Sequence, residues 1–555
     1  MDKLTRLLLW CKMRWVGVTS WRDLVQRAKD PRRHQLQLLM SILRRNQQTS
    51  FGKERRFDSI NSYSSFTEQV EVQDYESLRP YIEKQERDKT PELNSENPRL
   101  YAQTSGTTGD PKLVPILEHT VKNYKSSQGL VTYANSVACP GVYGGKVLAI
   151  TSPHVEGRLE TGTAYGSMSG LLSKSMPRLT RRKYVLPSAV LDVENYQAKY
   201  YLISAFALRD REISFMGTAN PSTVIKVAET ISQHREQLVS DVRSGRLCNL
   251  FGLDEGQLED INQRFVSDPA RADELEAILE GDEEVNFHAL WPELKALSVW
   301  MGGSVGTLIP EIERLLRGQA RVIELGYLSS EFRGSINVDP IQKLCIPTIH
   351  ESFFEFVSVA EHGGSDVKYL LVDELELGEQ YYVYVTTQEG LYRYFMNDIV
   401  EVNGFFHKTP SIQFVQKGKG VVNLTGEKLY EGQVIEAIER LRAAMSLRFD
   451  FFILLGDERE LQYRLYIDCE PSGRAEVVAV FEEALRELNV EFETKRESGR
   501  LKETQVSFVA SGTYEAYKEH CIANGQREGQ FKYMVLQNER DCEFDFAGHE
   551  LEAAR

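Results

Sequence analysis

One segment of the sequence has the residue types needed to hold a phosphate chain: residues 101–115, YAQTSGTTGDPKLVP. Its glycines let the backbone pass close to an anion and turn N–H groups towards it, while its hydroxyls and lysine add donors and a positive charge. The residues that we expect to contact the phosphates are Ser105, Gly106, Thr107, Thr108, Gly109 and Lys112. Their spacing differs from the GxxxxGK(S/T) pattern, so a P-loop NTPase is not supported. A plain polar turn is the alternative interpretation.

The segments around this loop show the alternation of strands and helices that is typical of an α/β fold. From about residue 100, short apolar runs are followed by glycine-rich turns and then by helical patterns, and residues 100–103 predict a strand that enters the loop. Asn220 and Pro221 signal a helix start, and apolar residues at helical spacing predict one helix that ends at Gly245. Further strands are predicted at residues 369–372 and 382–386.

The part of the chain after residue 416 predicts a second, smaller α/β unit, because the alternation of strands and helices restarts there. Strands are predicted at residues 451–455, 463–468 and 504–509, and helices at residues 475–490 and 514–523. The predicted hinge, residues 416–419, lies in the Lys-Gly-Lys-Gly stretch at residues 417–420, whose alternating glycines accept backbone changes at low cost. We therefore expect two domains, residues 1–416 and residues 417–555.

Length and charge exclude several classes of protein. The chain has 555 residues, and single cores stop growing near roughly 250–300 residues, so more than one domain is expected. A net charge of −15 argues against broad binding to nucleic acid or to an anionic membrane, which needs a basic face. The strongly acidic residues 253–285 predict a pair of solvated surface helices, with a partner-binding insert as the alternative.

The cysteines and the N-terminal residues indicate the cellular compartment of the protein. Seven dispersed cysteines without a CxxC pair predict reduced thiols in a cytoplasmic protein. The apolar run at residues 7–10 is shorter than the roughly 7–15 residues of a signal peptide or the about 20 of a membrane span. A packed amphipathic helix is expected there, with a peripheral membrane anchor as the alternative.

The loop at residues 104–112 resembles the STSGTTGxPK-type signature of the adenylate-forming superfamily, which includes acyl-CoA synthetases, peptide-synthetase adenylation domains and luciferases. This resemblance implies an α/β fold with a large N-terminal adenylate-forming domain, in which mixed sheets, flanking helices and a β-barrel-like part occur together. It also implies a small mobile C-terminal α/β domain. ATP and Mg²⁺ are the cofactors that the resemblance implies.

A second motif of the superfamily, Tyr-Gly-x-Ser/Thr-Glu after a strand, is similar to GYLSSE at residues 326–331, which follows the mostly apolar residues 322–325. The resemblance places Tyr327 against the adenine, Ser330 at the α-phosphate and Glu331 at Mg²⁺, a cation that prefers carboxylate and phosphate oxygens. Gly326 and Ser329 belong to the same expected nucleotide contact. A helix N-cap is the alternative interpretation of these residues.

A third motif, GLYRYFMND at residues 390–398, resembles the segment whose aspartate accepts hydrogen bonds from both ribose hydroxyls. Asp398 suits this role because a carboxylate only accepts and has two oxygens. The superfamily's glycine before this aspartate is replaced by Asn397, which tolerates a positive φ better than most residues. A solvated aspartate in a turn is the alternative.

The order YLSSE, FFEF at residues 353–356 and GLYRY resembles the auxin-responsive acyl acid amido synthetases of plants and their bacterial relatives, the Gretchen Hagen family. The likeness runs from about residue 100 to the C-terminus. In that family, Lys428 of LTGEK would lie near the nucleotide, and Lys532 of GQFK would reach the α-phosphate and the attacking carboxylate. Both lysines are therefore predicted to be catalytic.

The resemblance implies that a carboxylic acid is activated as its acyl-adenylate and then joined to an amine, in particular an amino acid. The C-terminal domain would rotate about residues 416–419 between the two steps. We expect a monomer or weak homo-oligomer that binds neither nucleic acid nor membrane. The alternatives are an acyl-CoA ligase, a non-catalytic binding protein of the same fold, and a luciferase-like oxidation.

Overall fold

The computed structural model describes residues 11–104, 112–151, 155–174, 176–281, 284–362, 367–418, 420–447, 449, 451–470, 473–523 and 534–551. The chain forms two compact units. The first comprises Met1–Gln103 and Leu113–Val415, and the second comprises Thr104–Lys112 and Gln416–Arg555. The predicted loop residues 105–109 and Lys532 lie outside the described residues.

Helices of the first unit are concentrated at its start and around a central sheet. They are α1 Arg22–Lys29, α2 Pro31–Asn46, α3 Ser50–Glu54, α4 Tyr63–Gln69, α5 Tyr75–Asp88, α6 Glu118–Ala138, α7 Met168–Lys174, α8 Arg178–Arg181, α9 Ser188–Leu191, α10 Tyr196–Arg209, α11 Pro221–Gln233, α12 Arg235–Ser244, α13 Glu255–Asn262, α14 Pro269–Gly281, α15 Phe287–Leu290 and α16 Ile309–Leu316. A π-helical segment, Gly17–Trp21, precedes α1, and a 3-10 segment, Ser304–Leu308, precedes α16.

The described strands of the first unit form four sheets. They are β1 Leu100–Thr104, β2 Lys112–Ile116, β3 Lys146–Ala149, β4 Gly157–Arg158, β5 Ala164–Tyr165, β6 Ile213–Gly217, β7 Ala296–Val299, β8 Arg321–Glu324, β9 Ser335–Asp339, β10 Leu344–Pro347, β11 Phe353–Ser358, β12 Leu370–Leu371, β13 Gln380–Thr386, β14 Tyr394–Phe406 and β15 Thr409–Lys417. The sheet orders are β2-β1-β5-β4, β3-β6-β7-β8, β10-β9 and β12-β11-β13-β14-β15.

The sheet β3-β6-β7-β8 is parallel in every pairing. Parallel strands need crossover connections, and here these are helical, so the sheet is covered by helices and its strands are apolar. Helix α10 is buried from Tyr200 to Leu208, and it packs in one core with Leu148, Met216 and Leu297 of the strands. The sheet β12-β11-β13-β14-β15 is instead antiparallel from β12 to β14, and its core includes residues of α2 to α5.

The predicted single helix from Pro221 to Gly245 is wrong in one respect, because two helices, α11 and α12, occupy this range. His234 breaks the helix with φ −119° and ψ 24°, and its ring packs edge-on against Tyr201 and Phe251. Both helices bury their apolar residues in one core, so the helical spacing continues across the break. Gly245 ends α12 with φ +71°, as predicted.

The acidic segment folds as the predicted pair of helices, α13 and α14. Each helix buries one apolar face, with Leu258 and Ile261 in α13 and Leu275 in α14 packed into the core of the first unit. Arg243 of α12 forms ion pairs with Asp273 and Glu276 of α14, the latter at 2.7 Å. The acidic residues therefore lie on the outer faces of packed helices.

The second unit contains helices α17 Glu431–Met445, α18 Arg474–Leu488, α19 Val490–Glu497 and α20 Thr513–Ala523, and strands β16 Val421–Val422, β17 Leu429–Tyr430, β18 Phe452–Asp457, β19 Gln462–Ile467, β20 Gln505–Phe508 and β21 Leu536–Asn538. The larger sheet has the order β20-β19-β18-β21, and β16 pairs with β17. The predicted strands and helices of this unit are confirmed to within a few residues.

No helix in the described part of the chain is long and apolar enough to cross a membrane.

A buried ion pair joins the N-terminal helices to the antiparallel sheet. Nε of Arg393 donates to both carboxylate oxygens of Glu355 at 3.1 Å, and Nη1 donates to the carbonyl oxygen of Val70 at 2.9 Å. The hydroxyl of Tyr63 donates to Glu355 at 2.8 Å. Glu355 is fully buried, so each partner depends on the other for its hydrogen bonds.

We expect Glu355→Gln to destabilise the first unit by about 3–5 kcal/mol, because it leaves the charge of Arg393 buried without its partner. Urea denaturation followed by circular dichroism measures the change in the free energy of unfolding. Asp23→Asn is the matched control: it removes the exposed ion pair of Asp23 with Arg27 and should change stability by less than about 1 kcal/mol. Equal effects of the two substitutions would contradict this assignment.

Candidate active site

The YLSSE turn follows the carboxyl end of β8, the edge strand of the parallel sheet. Ligands of open α/β sheets bind outside this end of the strands. Gly326 has φ +96°, and a Cβ atom there would lie 3.1 Å from the carbonyl oxygen of Ser335, so this position requires glycine. The carboxylate of Glu324 accepts hydrogen bonds from the N–H groups of Met301 and Gly326, both at 2.8 Å, which fixes the start of the turn. Burial raises the pKa of Glu324.

Tyr327 and Asp398 are in direct contact, although they come from different sheets. The hydroxyl of Tyr327 donates a hydrogen bond to the Asp398 carboxylate, and the Tyr327 N–H donates to Oγ of Ser335 at 2.8 Å. The ring of Tyr327 lies parallel to that of Phe414, with centroids 6.0 Å apart. Burial, together with the charge of Asp398, raises the pKa of Tyr327 well above its usual value, so the phenol stays protonated.

Asp398 lies in a bulge within β14. Tyr382 of β13 pairs with Ile399 and Tyr384 with Phe395, so the three residues 396–398 stand opposite the single residue Val383. Asn397 within this bulge has φ +50°. The expectation that Asn397 tolerates a positive φ is therefore confirmed. Asp398 is 1% exposed, so the alternative of a solvated aspartate in a turn is wrong.

The residues Ser329, Ser330 and Glu331 form the tip of a tight hairpin. The Ser329 N–H donates to the carbonyl oxygen of Phe332 at 3.1 Å, and Leu328 bridges with Arg333. Ser330 is exposed and Glu331 is buried. Strand β9, not a helix, follows at Ser335, so the alternative of a helix N-cap is wrong.

Glu331 is a single buried carboxylate, which is compatible with its predicted role as a ligand of Mg²⁺. Among the described residues, no group of three or more His, Cys, Asp and Glu side chains could hold a metal ion. Mg²⁺ in nucleotide sites takes one or two carboxylates, and phosphate oxygens and water complete its coordination. Glu331 therefore has the chemistry for Mg²⁺ held together with a triphosphate, and its role stays a prediction.

The glycine-rich loop connects two neighbouring strands of one sheet, β1 and β2, and the predicted strand before it is confirmed. Residues 105–109 lie outside the described residues, so their phosphate contacts stay predictions. Lys112 starts β2 and is buried, with its ammonium nitrogen 5.2 Å from the ring centroid of Tyr430, which belongs to the same unit. A cation at this distance from an aromatic face is attracted to the ring.

Lys428 lies in a loop that a buried carboxylate holds in shape. Glu427 accepts hydrogen bonds from the N–H groups of Leu424 and Thr425, both at 2.8 Å, and from the hydroxyl of Tyr463 at 2.6 Å. Lys428 has φ +43°, so its backbone conformation depends on this anchoring. The sequence prediction named Lys428 and missed Glu427, because nothing in LTGEK shows which of its charged residues is buried.

Glu324 and Phe414 were also missed by the sequence prediction. Glu324 is the last residue of a strand and looks solvated from its position, and Phe414 lies 87 positions after the tyrosine that it contacts (414 minus 327). Only the neighbouring apolar run at residues 322–325 pointed to this strand end.

Three family models match the chain: the GH3 family N-terminal domain at residues 21–320, the central domain at 345–417 and the C-terminal domain at 432–541. Indole-3-acetic acid-amido synthetase GH3.5 of Arabidopsis thaliana is 24% identical over 558 residues, covering 93% of this chain and 89% of the relative. The solved structure of GH3.15 acyl acid amido synthetase has a TM-score of 0.65 at 21% identity, with 95% of this chain and 96% of that chain covered.

A 2-hydroxyisobutyryl-CoA ligase, solved with an acyl-adenylate and CoA, has a TM-score of 0.54 at 14% identity, with 93% and 92% of the two chains covered. These structures share their fold with this chain, which confirms the predicted adenylate-forming α/β fold. The N-terminal family model alone covers more than half of the 555 residues. The protein therefore belongs to the GH3 family of amide-forming ligases, as the order of its motifs predicts.

Proposed function

We propose that the protein uses ATP to activate a carboxylic acid as its acyl-adenylate and then transfers the acyl group to an amine, in particular an amino acid. The observation that carries the proposal is the buried contact of Tyr327 with Asp398, which joins the end of β8 to the bulge of β14. Membership of the GH3 family supports the same chemistry.

Asp398 is proposed to accept hydrogen bonds from the ribose hydroxyls of ATP. The Tyr327 hydroxyl orients this carboxylate, and the neutral phenol adds no charge beside it. Ser330, at the exposed tip of the hairpin, is proposed to contact the α-phosphate. Glu331 would hold Mg²⁺, which neutralises phosphate charge.

The first step forms a bond between a carboxylate oxygen of the acid and the α-phosphorus of ATP, and pyrophosphate leaves. In the second step the amine nitrogen attacks the acyl carbon, AMP leaves with the oxygen, and the nitrogen loses a proton. Both steps need positioning and charge neutralisation more than a strong base. Lys532, Lys428, Lys112 and the N–H groups of residues 105–109 are proposed to supply the positive charge.

Residues 417–555 are proposed to be the mobile domain, with its hinge at residues 416–419. The boundary between the two compact units, after Val415, supports this division.

A cytoplasmic location is also proposed, since all seven cysteines are free thiols, as expected in a reducing compartment. We further propose a monomer or weak homo-oligomer that acts on small molecules.

An acyl-CoA ligase is the second candidate, because the fold is shared with a ligase solved in its thioesterification state. The two functions share the adenylate and differ only in the acceptor.

We expect the purified protein to release pyrophosphate from ATP when supplied with an acid from an aromatic and fatty acid panel, and to form amides when amino acids are added. Mass spectrometry of the products, with coenzyme A and amino acids offered in parallel, separates the two candidates. Thioester without amide would refute the amide proposal, and pyrophosphate release from none of the acids would refute adenylation.

Lys532→Ala should lower the rate of acid-dependent pyrophosphate release by about 10²–10³-fold, because one donor to the developing charge is lost. ATP binding, measured by isothermal titration calorimetry, should change little. Lys502→Ala is the control, since this lysine pairs with Glu460 on the surface of the same unit. A Lys532→Ala variant that adenylates at the normal rate would remove Lys532 from the mechanism.

Asp398→Asn should weaken ATP binding by about 10–100-fold, because hydrogen bonds to a charged acceptor contribute about 1.5–3 kcal/mol. The variant should also lose the preference of the protein for ATP over 2′-deoxy-ATP, which titration calorimetry measures directly. Glu401→Gln, on the same strand and half-buried, is the control. An unchanged preference in Asp398→Asn would show that this carboxylate does not bind the ribose.

A further inference from the structure

A second group of polar side chains lies beside the YLSSE hairpin in the first unit, and the nucleotide contacts do not use it. It consists of Tyr124, Ser127 and Gln128 of α6 together with Arg333, His350 and Glu351. We call these six residues the Arg333 cluster. Arg333 bridges with Leu328 across the hairpin and follows Glu331 by two positions.

Arg333 is buried but makes few hydrogen bonds. It is 4% exposed, its guanidinium carbon lies 5.8 Å from the ring centroid of Tyr124, and Nη1 is a long 3.5 Å from Oε1 of Gln128. Nε has no hydrogen-bond partner among the described residues. A guanidinium carries five N–H donors, and a buried donor without a partner is unfavourable.

Another buried arginine of the same unit shows the usual solution. In Arg271, Nε donates to the carbonyl oxygen of Leu208 at 2.9 Å, Nη2 to that of Leu290 at 2.6 Å, and Nη1 to Glu274 at 2.7 Å. Each nitrogen of Arg271 therefore has an acceptor. Arg333 differs from it, because its Nε has no acceptor among the described residues.

The carboxylate next to Arg333 is already engaged. Glu351 accepts a hydrogen bond from the Ser127 hydroxyl and lies 3.4 Å from Nε2 of His350. Ser127 Oγ also lies 2.9 Å from Nε2 of His350. Glu351 thus balances the charge of Arg333 at a distance, because Nε of Arg333 has no hydrogen-bond partner among the described residues.

The surroundings of Tyr124 and Arg333 are acidic, which favours a neutral oxygen over a carboxylate as the acceptor. The Tyr124 hydroxyl lies within electrostatic range of Glu331, Glu351 and Glu389, with Arg333 as the one positive charge among these partners. Another carboxylate beside Tyr124 would be repelled by Glu351 and Glu389, whereas Glu331 is proposed to hold Mg²⁺. A neutral oxygen would satisfy the donors of Arg333 without that repulsion.

The position of the cluster connects it with the acid rather than with the purine. Arg333 follows Glu331 by two positions, and α6 starts two positions after the end of β2, the strand that follows the glycine-rich loop. The acid must reach the α-phosphorus, and Ser330 of the hairpin is proposed to contact the α-phosphate, while the glycine-rich loop is proposed to hold the phosphate chain. Tyr124 of α6 and Arg333 of the hairpin therefore each follow a segment that is proposed to contact the phosphates.

We propose that Arg333, with Tyr124, determines the specificity for the acyl acid by binding a neutral oxygen on it, a hydroxyl, ether or carbonyl group apart from the carboxyl that is activated. The preferred substrates are then oxygenated carboxylic acids, not plain hydrocarbon acids or dicarboxylic acids. This inference rests on the proposed adenylation.

The first test uses the unmodified protein and matched acids: 3-phenylpropanoate, its three ring-hydroxylated isomers, and 3-(4-carboxyphenyl)propanoate. Pyrophosphate release without amine gives kcat/KM for each acid. The best hydroxylated isomer should exceed the parent acid by on the order of 10–100-fold, since the parent leaves a charged donor unpaired. Equal values for all isomers would overturn this inference and leave adenylation intact, whereas release from none of the acids would overturn both.

The second test compares Arg333→Met, Arg333→Lys and the control Arg271→Met. Arg333→Met should bring the ratio of kcat/KM between hydroxylated and parent acids close to one, mainly through KM of the hydroxylated acid. Arg271→Met should lower thermal stability but keep the ratio. If Arg333→Met does not fold, Arg333→Lys decides, because it keeps the charge and loses Nε and the planar fork, and should still reduce the ratio. A ratio that survives in the folded Arg333 variant overturns the proposal.

Discussion

The hydrogen bond from Tyr327 to Asp398 is the interaction on which the candidate site depends, because it ties two sheets together at the point where the nucleotide is proposed to bind. Tyr327 follows the edge strand of the parallel sheet, and Asp398 projects from the bulge of an antiparallel one. Asp398 is buried, and a buried carboxylate needs donors. The tyrosine supplies one donor without adding charge, and the ribose hydroxyls of ATP are proposed as further donors.

The same principle, a buried charge whose hydrogen bonds fix a loop, recurs elsewhere in the chain. Glu324 holds the N–H groups of Met301 and Gly326, and Glu427 holds those of Leu424 and Thr425. In each case the anchored segment carries or adjoins a predicted site residue. Arg333 is the exception among these buried groups, because its Nε donor has no such partner within the described residues.

Much of the fold could be predicted from local pattern, since strand alternation and helical spacing are properties of neighbouring residues. The strands and helices of the second unit and the pair α13 and α14 follow such patterns. The break at His234 could not be predicted, because it depends on packing against Tyr201 and Phe251. The apolar residues keep their helical spacing on both sides of His234, so spacing alone predicts one continuous helix.

The candidate site was predicted in part. Its motifs identified Tyr327 and Asp398 separately, but their contact joins positions 71 apart, and neither the anchors Glu324 and Glu427 nor the Arg333 cluster has a local signature. The loop residues 105–109 and Lys532 remain predictions from their motifs. The residue types thus indicated which chemistry is present, and the fold showed which side chains lie close enough to act together.

The bulge in β14 has a consequence for how this protein can vary. Strand β14 is an inner strand, flanked by β13 and β15, so residues on both sides of the bulge are held in register by neighbours. Adding or removing one residue between Phe395 and Ile399 would turn one half of the strand over and exchange its buried and outward faces. Descendants of this sequence can therefore replace side chains around the aspartate more freely than they can alter the spacing that presents it.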